Sequence, residues 1–209
     1  MKLILARHGE TDGNVAEVFR GRLDIELNET GRKQARLMAD SLAESKISAV
    51  FSSPLKRALE TAQIVAARLG LKVSPAPELV DMDFGDWQGL SIKTVRDEYP
   101  ELFARWLENP HHVKAPGGES LLDVRERTLS LVSRVTARGE GDTLMVSHRV
   151  VNKVLICALL GLDDSHFWNI KLDTCGLSVF EIENGRFVLT GHNDTSFLKS
   201  LRKAPLADF

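Results

Sequence analysis

Cysteine is scarce: Cys157 and Cys175 are the only two in 209 residues. They stand far apart with no CxxC spacing, and a chain of this length with 43% hydrophobic residues needs no disulfide staple. Both are read as reduced and structural. A surplus of basic charge is also missing, since 27 Lys plus Arg face 29 Asp plus Glu for a formal charge of −2. With a pI near 6.3, this excludes broad electrostatic attraction to nucleic acid or an anionic membrane. Any anion that binds must meet positive charge gathered locally. No apolar run approaches the ~20 residues of a membrane helix. The opening MKLILARHGE is too short for a signal-peptide core and has no small-residue cleavage site after it, so a cytoplasmic location is expected. Metal-ligand spacing is absent: His8, His111, His112, His148, His166 and His192 form no HxH or HxxxH pair, and there is no P-loop. No metal or other cofactor is expected. Without repeats, low-complexity tracts or linkers, residues 1–209 read as one domain, a length that can bury a real core.

What is present alternates between two hydrophobic periods. Leu3-Ile4-Leu5-Ala6, Ile47-Ser48-Ala49-Val50-Phe51 and Thr143-Leu144-Met145-Val146-Ser147 read as strands, the first and third of the kind buried on both faces. Helical spacing runs over 31–45, over 54–69 with Ser53-Pro54 as cap and first turn and Gly70 as stop, over 120–138, and over 150–160 before Gly161. A weak strand is expected at 71–73, short helices at 90–98 and 101–108, and two strands near 175–183 and 186–191 around Asn184-Gly185. This order predicts an α/β fold, a three-layer α/β/α sandwich with a mainly parallel central sheet.

Ligands in such sheets gather beyond the carboxyl ends of the strands. The first strand ends at Arg7-His8, the second at Ser52-Ser53 with Arg57 one turn into the next helix, and the strand over 143–147 ends at His148. Two imidazoles and two guanidiniums therefore converge on one sheet edge. Guanidinium grips a tetrahedral oxyanion from several directions, which suggests a phosphate pocket. Phosphate chemistry without a metal needs protein cations and a nucleophile active near neutral pH. Neighbouring Arg charge disfavours imidazolium, so a histidine ring nitrogen can attack phosphorus and divide one hard displacement into two easier ones.

These residues carry a family resemblance. Leu5-Ala6-Arg7-His8-Gly9-Glu10-Thr11, with Asn14, Gly21 and the stretch from Asp24 to Gly31, resembles the signature of the histidine phosphatase superfamily in its phosphoglycerate mutase-like branch. Ser52-Ser53-Pro54-Leu55-Lys56-Arg57-Ala58, Phe84-Gly85-Asp86-Trp87-Gln88-Gly89, Gly117-Gly118-Glu119-Ser120 and Val146-Ser147-His148 resemble the later blocks, in the family's order. The resemblance implies a phosphoglycerate mutase-like fold. It makes His8 the nucleophile that becomes phosphorylated and Arg7, Arg57 and His148 the grip on the transferring group, with Asn14 assisting. Gly9 and Gly21 would allow close backbone approach. The general acid and base is a glutamate in most relatives; here the position is Asp81, one methylene shorter, with Glu78 and Asp83 as fallback candidates.

Two further departures concern the pocket rim. Arg20 stands where many relatives carry Gln, which suggests that it recognises a second anionic group of the substrate. Asp12-Gly13 stands where Trp is frequent two residues before Asn14, and loss of that ring is expected either to open space or to loosen the loop. The segment 90–118, with Phe103, Trp106, His111, His112 and Lys114, reads either as a substrate-selecting lid or as surface helix anchored by Phe103 and Trp106. The expected activity is hydrolysis of a small phosphorylated metabolite such as α-ribazole phosphate, phosphoserine or a phosphoglycerate-like acid. The alternatives are a phosphoryl-isomerising mutase, whose relatives are longer, and a non-catalytic domain that binds phospho-ligands. An apolar strand edge or the Phe197–Phe209 tail could serve a homodimer.

Overall fold

The computed structural model describes residues 1–139 and 141–201; the end of the Phe197–Phe209 tail, 202–209, lies outside them. Six strands, β1 (Lys2–Arg7), β2 (Ile47–Ser52), β3 (Val73–Pro75), β4 (Asp142–Ser147), β5 (Leu177–Glu183) and β6 (Arg186–Asp194), form one sheet in the order β3-β2-β4-β1-β5-β6. β3, β2, β4 and β1 run parallel, and β5 and β6 add an antiparallel hairpin beside β1. The hairpin turns at Asn184-Gly185, both at positive φ, the conformation that a two-residue turn between twisted strands requires.

The helices are α1 (Asp12–Val15), α2 (Glu29–Ser41), α3 (Lys56–Leu69), α4 (Ile92–Glu98), α5 (Pro100–Glu108), α6 (Leu121–Arg138) and α7 (Arg149–Leu159). β1 shows why a strand can be apolar throughout: Leu3 and Leu5 join the core with α6 and α7, while Ile4 and Ala6 join the core with α2 and α3 on the other face. Each fully buried Leu contributes on the order of 1.5–3 kcal/mol. Among the described residues, no helix is long and apolar enough to cross a membrane. Cys157 and Cys175 are buried and free. Burial pushes their thiols up to about 11 and about 12, respectively.

Most expected elements appear within a few residues of their expected ends. The start of α3 is a correction. Ser53-Pro54 does not cap it: the N-cap is Leu55, and the first helical N–H, that of Lys56, donates to Asp24 Oδ1 at 2.8 Å. The Ser53 hydroxyl instead accepts from Leu55 N–H at 3.3 Å and faces His148. The strand expected at 71–73 lies at 73–75. In the 90–118 segment, Phe103 and Trp106 are buried in the α6–α7 core, where the Trp106 ring stacks edge-on with Phe84, Trp87 and Trp168.

Candidate active site

The strand order itself assembles the site. β1 pairs with β4 up to Arg7 opposite Ser147, and β2 pairs with β4 up to Ser52 opposite Val146. The next residues of all three strands, His8, Ser53 and His148, therefore leave the sheet side by side. His8 and His148 are buried, with ring centroids 5.2 Å apart.

The tautomer of His8 follows from its partner. Its Nδ1 lies 2.7 Å from the Gly9 carbonyl, which can only accept, so Nδ1 carries the proton and Nε2 keeps its lone pair. Burial, then Arg57 and Arg7, hold this imidazole well below its ordinary value against the Gly9 hydrogen bond. His148 is lowered too, by burial first and then by Arg57 and His8. Its Nε2 lies 2.7 Å from Ser53 Oγ. Nε2 is the only acceptor that the Ser53 hydroxyl proton meets among the described residues, so the hydroxyl donates to Nε2 and N–H is left on Nδ1. This Nδ1 is buried without a hydrogen-bond partner, 3.6 Å from Asp81 Oδ2.

Arg57, fully buried, donates Nη1 to the Leu23 carbonyl and Nη2 to the Gly21 carbonyl, both at 2.7 Å, and Nη2 also to Asp81 Oδ2 at 3.0 Å. Its Nε is buried with no partner. Gly21 is at φ +47°, and a Cβ there would lie 2.3 Å from Gln88 Oε1 and 2.9 Å from the Met82 carbonyl, so only glycine brings this carbonyl to Arg57. Arg7 donates Nη1 to Leu172 O at 2.7 Å. Asn14 accepts from Thr11 N–H and Oγ1–H through Oδ1, which leaves its NH2 as the donor.

Arg20 and Gly13 explain each other. The Arg20 stem crosses Gly13 so closely that a Cβ there would lie 2.8 Å from Cδ, and Nη1 donates to Gly13 O at 2.6 Å. Burial and the Arg149 charge draw Arg20 down to about 10, so it stays cationic at neutral pH.

Asp81 is placed from several directions. Arg127 of α6 donates to the carbonyls of Glu78 at 2.5 Å and Asp81 at 3.3 Å, Ser147 Oγ donates to the Leu79 carbonyl at 2.8 Å, and Asp83 N–H donates to Glu119 at 2.9 Å. The carboxyl thus stands between Arg57 and His148. Glu78 is turned away, paired with Arg134 at 2.5 Å; burial pushes its carboxyl up, but hydrogen bonds from its own backbone and Arg134 leave it below the ordinary value. Asp83 pairs with Arg22 at 3.3 Å. Loss of Arg127 would release two carbonyls together. Arg127→Ala is expected to cost on the order of 1–3 kcal/mol in chemical denaturation and to lower kcat more than it raises KM; an unchanged kcat would show that the loop is held without it.

The two depressed imidazoles also set a pH dependence of stability. Since their folded values lie below the unfolded 6.5, the unfolded chain binds more protons as pH falls through 6.5, so stability present above that pH is lost below it. The expected slope between pH 6.5 and 5 is up to about 1.4 kcal/mol per pH unit for each imidazole. It should flatten in His8→Asn/His148→Asn; an equal slope in that variant would assign it to other groups.

A pocket beside His8 and Asp81 is lined by Arg20, Gly21, Val18, Phe19, Phe84, Ile92, Arg149 and Val150. The structure thus brings together His8, His148, Arg57 and Asp81, puts Arg20 and Gly21 at the adjoining wall, and keeps Arg7 beside His8 at the strand end, while Asn14 lies on α1, bonded to Thr11. Ser53, Arg127 and Arg149 went unrecognised in the sequence. Arg149 had a signal, a cation next to a strand-end histidine like Arg7 beside His8, whereas Arg127 binds carbonyls of a loop whose path no pattern announces.

The histidine phosphatase superfamily (branch 1) model matches residues 3–195. The chain is 39% identical over 199 residues to phosphoserine phosphatase 1 of Hydrogenobacter thermophilus, covering 95% of this chain and 94% of the relative. Among solved structures, Bacillus stearothermophilus YhfR superposes with a TM-score of 0.89 at 32% identity, covering 95% of this chain and 99% of that one. The α-ribazole phosphatase of Shigella flexneri superposes with a TM-score of 0.85 at 29% identity, covering 93% and 96%. Sequence, fold and the paired imidazoles at the sheet edge agree, and the chain belongs to the histidine phosphatase superfamily, branch 1.

Proposed function

We propose that this histidine phosphatase hydrolyses a small-metabolite phosphomonoester through phosphohistidine at His8, without a metal. The observation that carries this reading is His8 itself: Nδ1 is tied to the Gly9 carbonyl, Nε2 has its lone pair, and the ring is kept neutral among arginines. Nε2 attacks phosphorus, the P–N bond forms as the P–O bond to the alcohol breaks, and Asp81 gives its proton to the leaving oxygen. Arg7, Arg57, Asn14 and the His148 Nδ1–H hold the equatorial oxygens, where charge spreads in the transition state. The buried donors on Arg57 Nε and His148 Nδ1 have no protein partner, a state costing about 1–3 kcal/mol each, which a phosphoryl oxygen would relieve. Asp81 then takes a proton from water, whose oxygen attacks phosphorus and breaks the P–N bond, returning His8 and releasing phosphate.

Residues 1–209 are read as one domain, supported by the match over 3–195 and by two cores sharing one sheet. Within 90–118, Ile92 lines the pocket while Phe103 and Trp106 are anchored beneath it, which favours a fixed wall over a moving lid. Buried free thiols and a metabolite substrate fit a cytoplasmic enzyme.

The test is a panel of phosphoserine, 3-phosphoglycerate, α-ribazole phosphate and 4-nitrophenyl phosphate, assayed in excess chelator. Release of inorganic phosphate with an acid-labile, alkali-stable phosphoenzyme is expected. Interconversion of 2- and 3-phosphoglycerate after priming with bisphosphoglycerate, without phosphate release, would identify a mutase. Binding without turnover on any ester would identify a phospho-ligand module.

A further inference from the structure

We propose that Arg20 and Arg149 form a second anion subsite beside the phosphoryl pocket, and that the substrate therefore carries a carboxylate on its alcohol portion. The proposal rests on the phosphatase reading for the placement of the phosphoryl group at His8. Both arginines line the same pocket as His8 and Asp81. They reach it from different elements: Arg20 from the loop after α1, and Arg149 from the first position of α7, directly after His148.

The state of the Arg20 guanidinium selects the ligand. Nη1 is used by the carbonyls of Gly13 at 2.6 Å and Val18 at 3.3 Å, which fixes the plane of the group. The opposite edge, Nε with Nη2, makes no hydrogen bond, and Nε is buried. That edge presents two parallel N–H bonds, the spacing that matches the two oxygens of a carboxylate. Arg149 adds a second positive charge close enough to depress Arg20. Two guanidiniums held near each other in a partly dry pocket repel, and a bound anion removes that cost. The remaining wall, Val18, Phe19, Phe84, Ile92 and Val150, is apolar, so it offers a short carbon skeleton no competing hydrogen bonds. A small phosphorylated acid, with phosphate at His8 and carboxylate at the two arginines, satisfies every part of this surface. A phosphorylated alcohol or amine without the acid leaves the Nε edge of Arg20 unpaired.

The test compares esters that differ only in the acid: phosphoserine with phosphoethanolamine, and 3-phosphoglycerate with glycerol 3-phosphate. Binding is measured by calorimetry on the inactive His8→Ala protein, then again with Arg149→Gln and, separately, Arg20→Gln added. The expected result is that at least one carboxylated ester binds ten-fold or more tighter than its counterpart. Either added substitution should reduce that ratio to within about two-fold, and the two together should have little more effect than one. Equal affinities within both pairs, or an added substitution that weakens both members alike and preserves their ratio, would overturn the subsite. A preserved carboxylate preference in a protein whose intact form hydrolyses neither these four esters nor α-ribazole phosphate nor 4-nitrophenyl phosphate would overturn the hydrolase reading and leave the subsite standing.

Discussion

His8→Ala is expected to reduce turnover on every phosphomonoester by on the order of 10⁴–10⁶-fold, the scale seen when a covalent nucleophile is removed from a site otherwise intact. The substitution deletes the lone pair on Nε2 and the bond it would form to phosphorus. It leaves Arg57 on the Gly21 and Leu23 carbonyls and His148 on Ser53, so substrate should still bind. Labelled phosphate trapped by rapid quenching should disappear from the protein in the same variant. His8→Asn, which keeps a polar group near Gly9, should be equally inactive because the missing element is the nucleophile. Residual turnover within about ten-fold of the parent would mean that water attacks phosphorus directly and that His8 serves only as a charge or a donor.

The second large effect concerns Asp81. Asp81→Asn keeps the side-chain length and, through its one amide oxygen, can keep the bond from Arg57 to Oδ2 or the bond from Met82 N–H to Oδ1, but it has no proton to give a leaving alkoxide. Formation of phosphohistidine from an alkyl ester should slow by about 10²–10⁴-fold, the usual contribution of a general acid. Formation from 4-nitrophenyl phosphate, whose leaving group departs as a stabilised anion, should stay within a few-fold. Phosphoenzyme should then accumulate, because the same carboxylate must activate water in the second step. Equal losses on alkyl and aryl esters in the first step would remove Asp81 from the acid role. Its neighbours are committed elsewhere, Glu78 to Arg134 and Asp83 to Arg22, so neither is placed to substitute.

The architecture was legible because hydrophobic period and strand termini are local properties. Leu3-Ile4-Leu5-Ala6 and Thr143–Ser147 announce doubly buried strands, and the polar residue that ends each run marks the sheet edge. The principal site residues follow from those ends, since in a parallel sheet the ends converge whatever the loops do. Legibility failed where one group had two physically sound uses. Ser53 before Pro54 has the composition of a helix cap, but the parallel pairing of β2 with β4 carries it beside His148, and Asp24 takes over at the helix end. Arg20 and Gly13 each read as a separate departure from the family pattern; only the crossing of the Arg20 side chain over the Gly13 backbone shows that they form a single change. Arg127 lay in an amphipathic helix as one more charge on its polar face, and its service to Glu78 and Asp81 depends on a loop more than forty positions away.

The central position of β1 has a kinetic consequence. Its two neighbours, β4 and β5, both come from the last third of the chain, with Leu3 set against Thr143 on one side and Phe180 on the other. Closing loops of that size costs conformational entropy before any ladder hydrogen bond or buried Leu compensates, so pairing of β1 belongs to the late, slow part of folding. Until then a continuous apolar strand has no cover on either side and is a candidate for pairing with other unfolded chains. Because His8 leaves the end of that same strand, catalytic competence should return only after most helical signal has recovered during refolding. Enzymatic activity is thus a reporter of the last long-range contact to form.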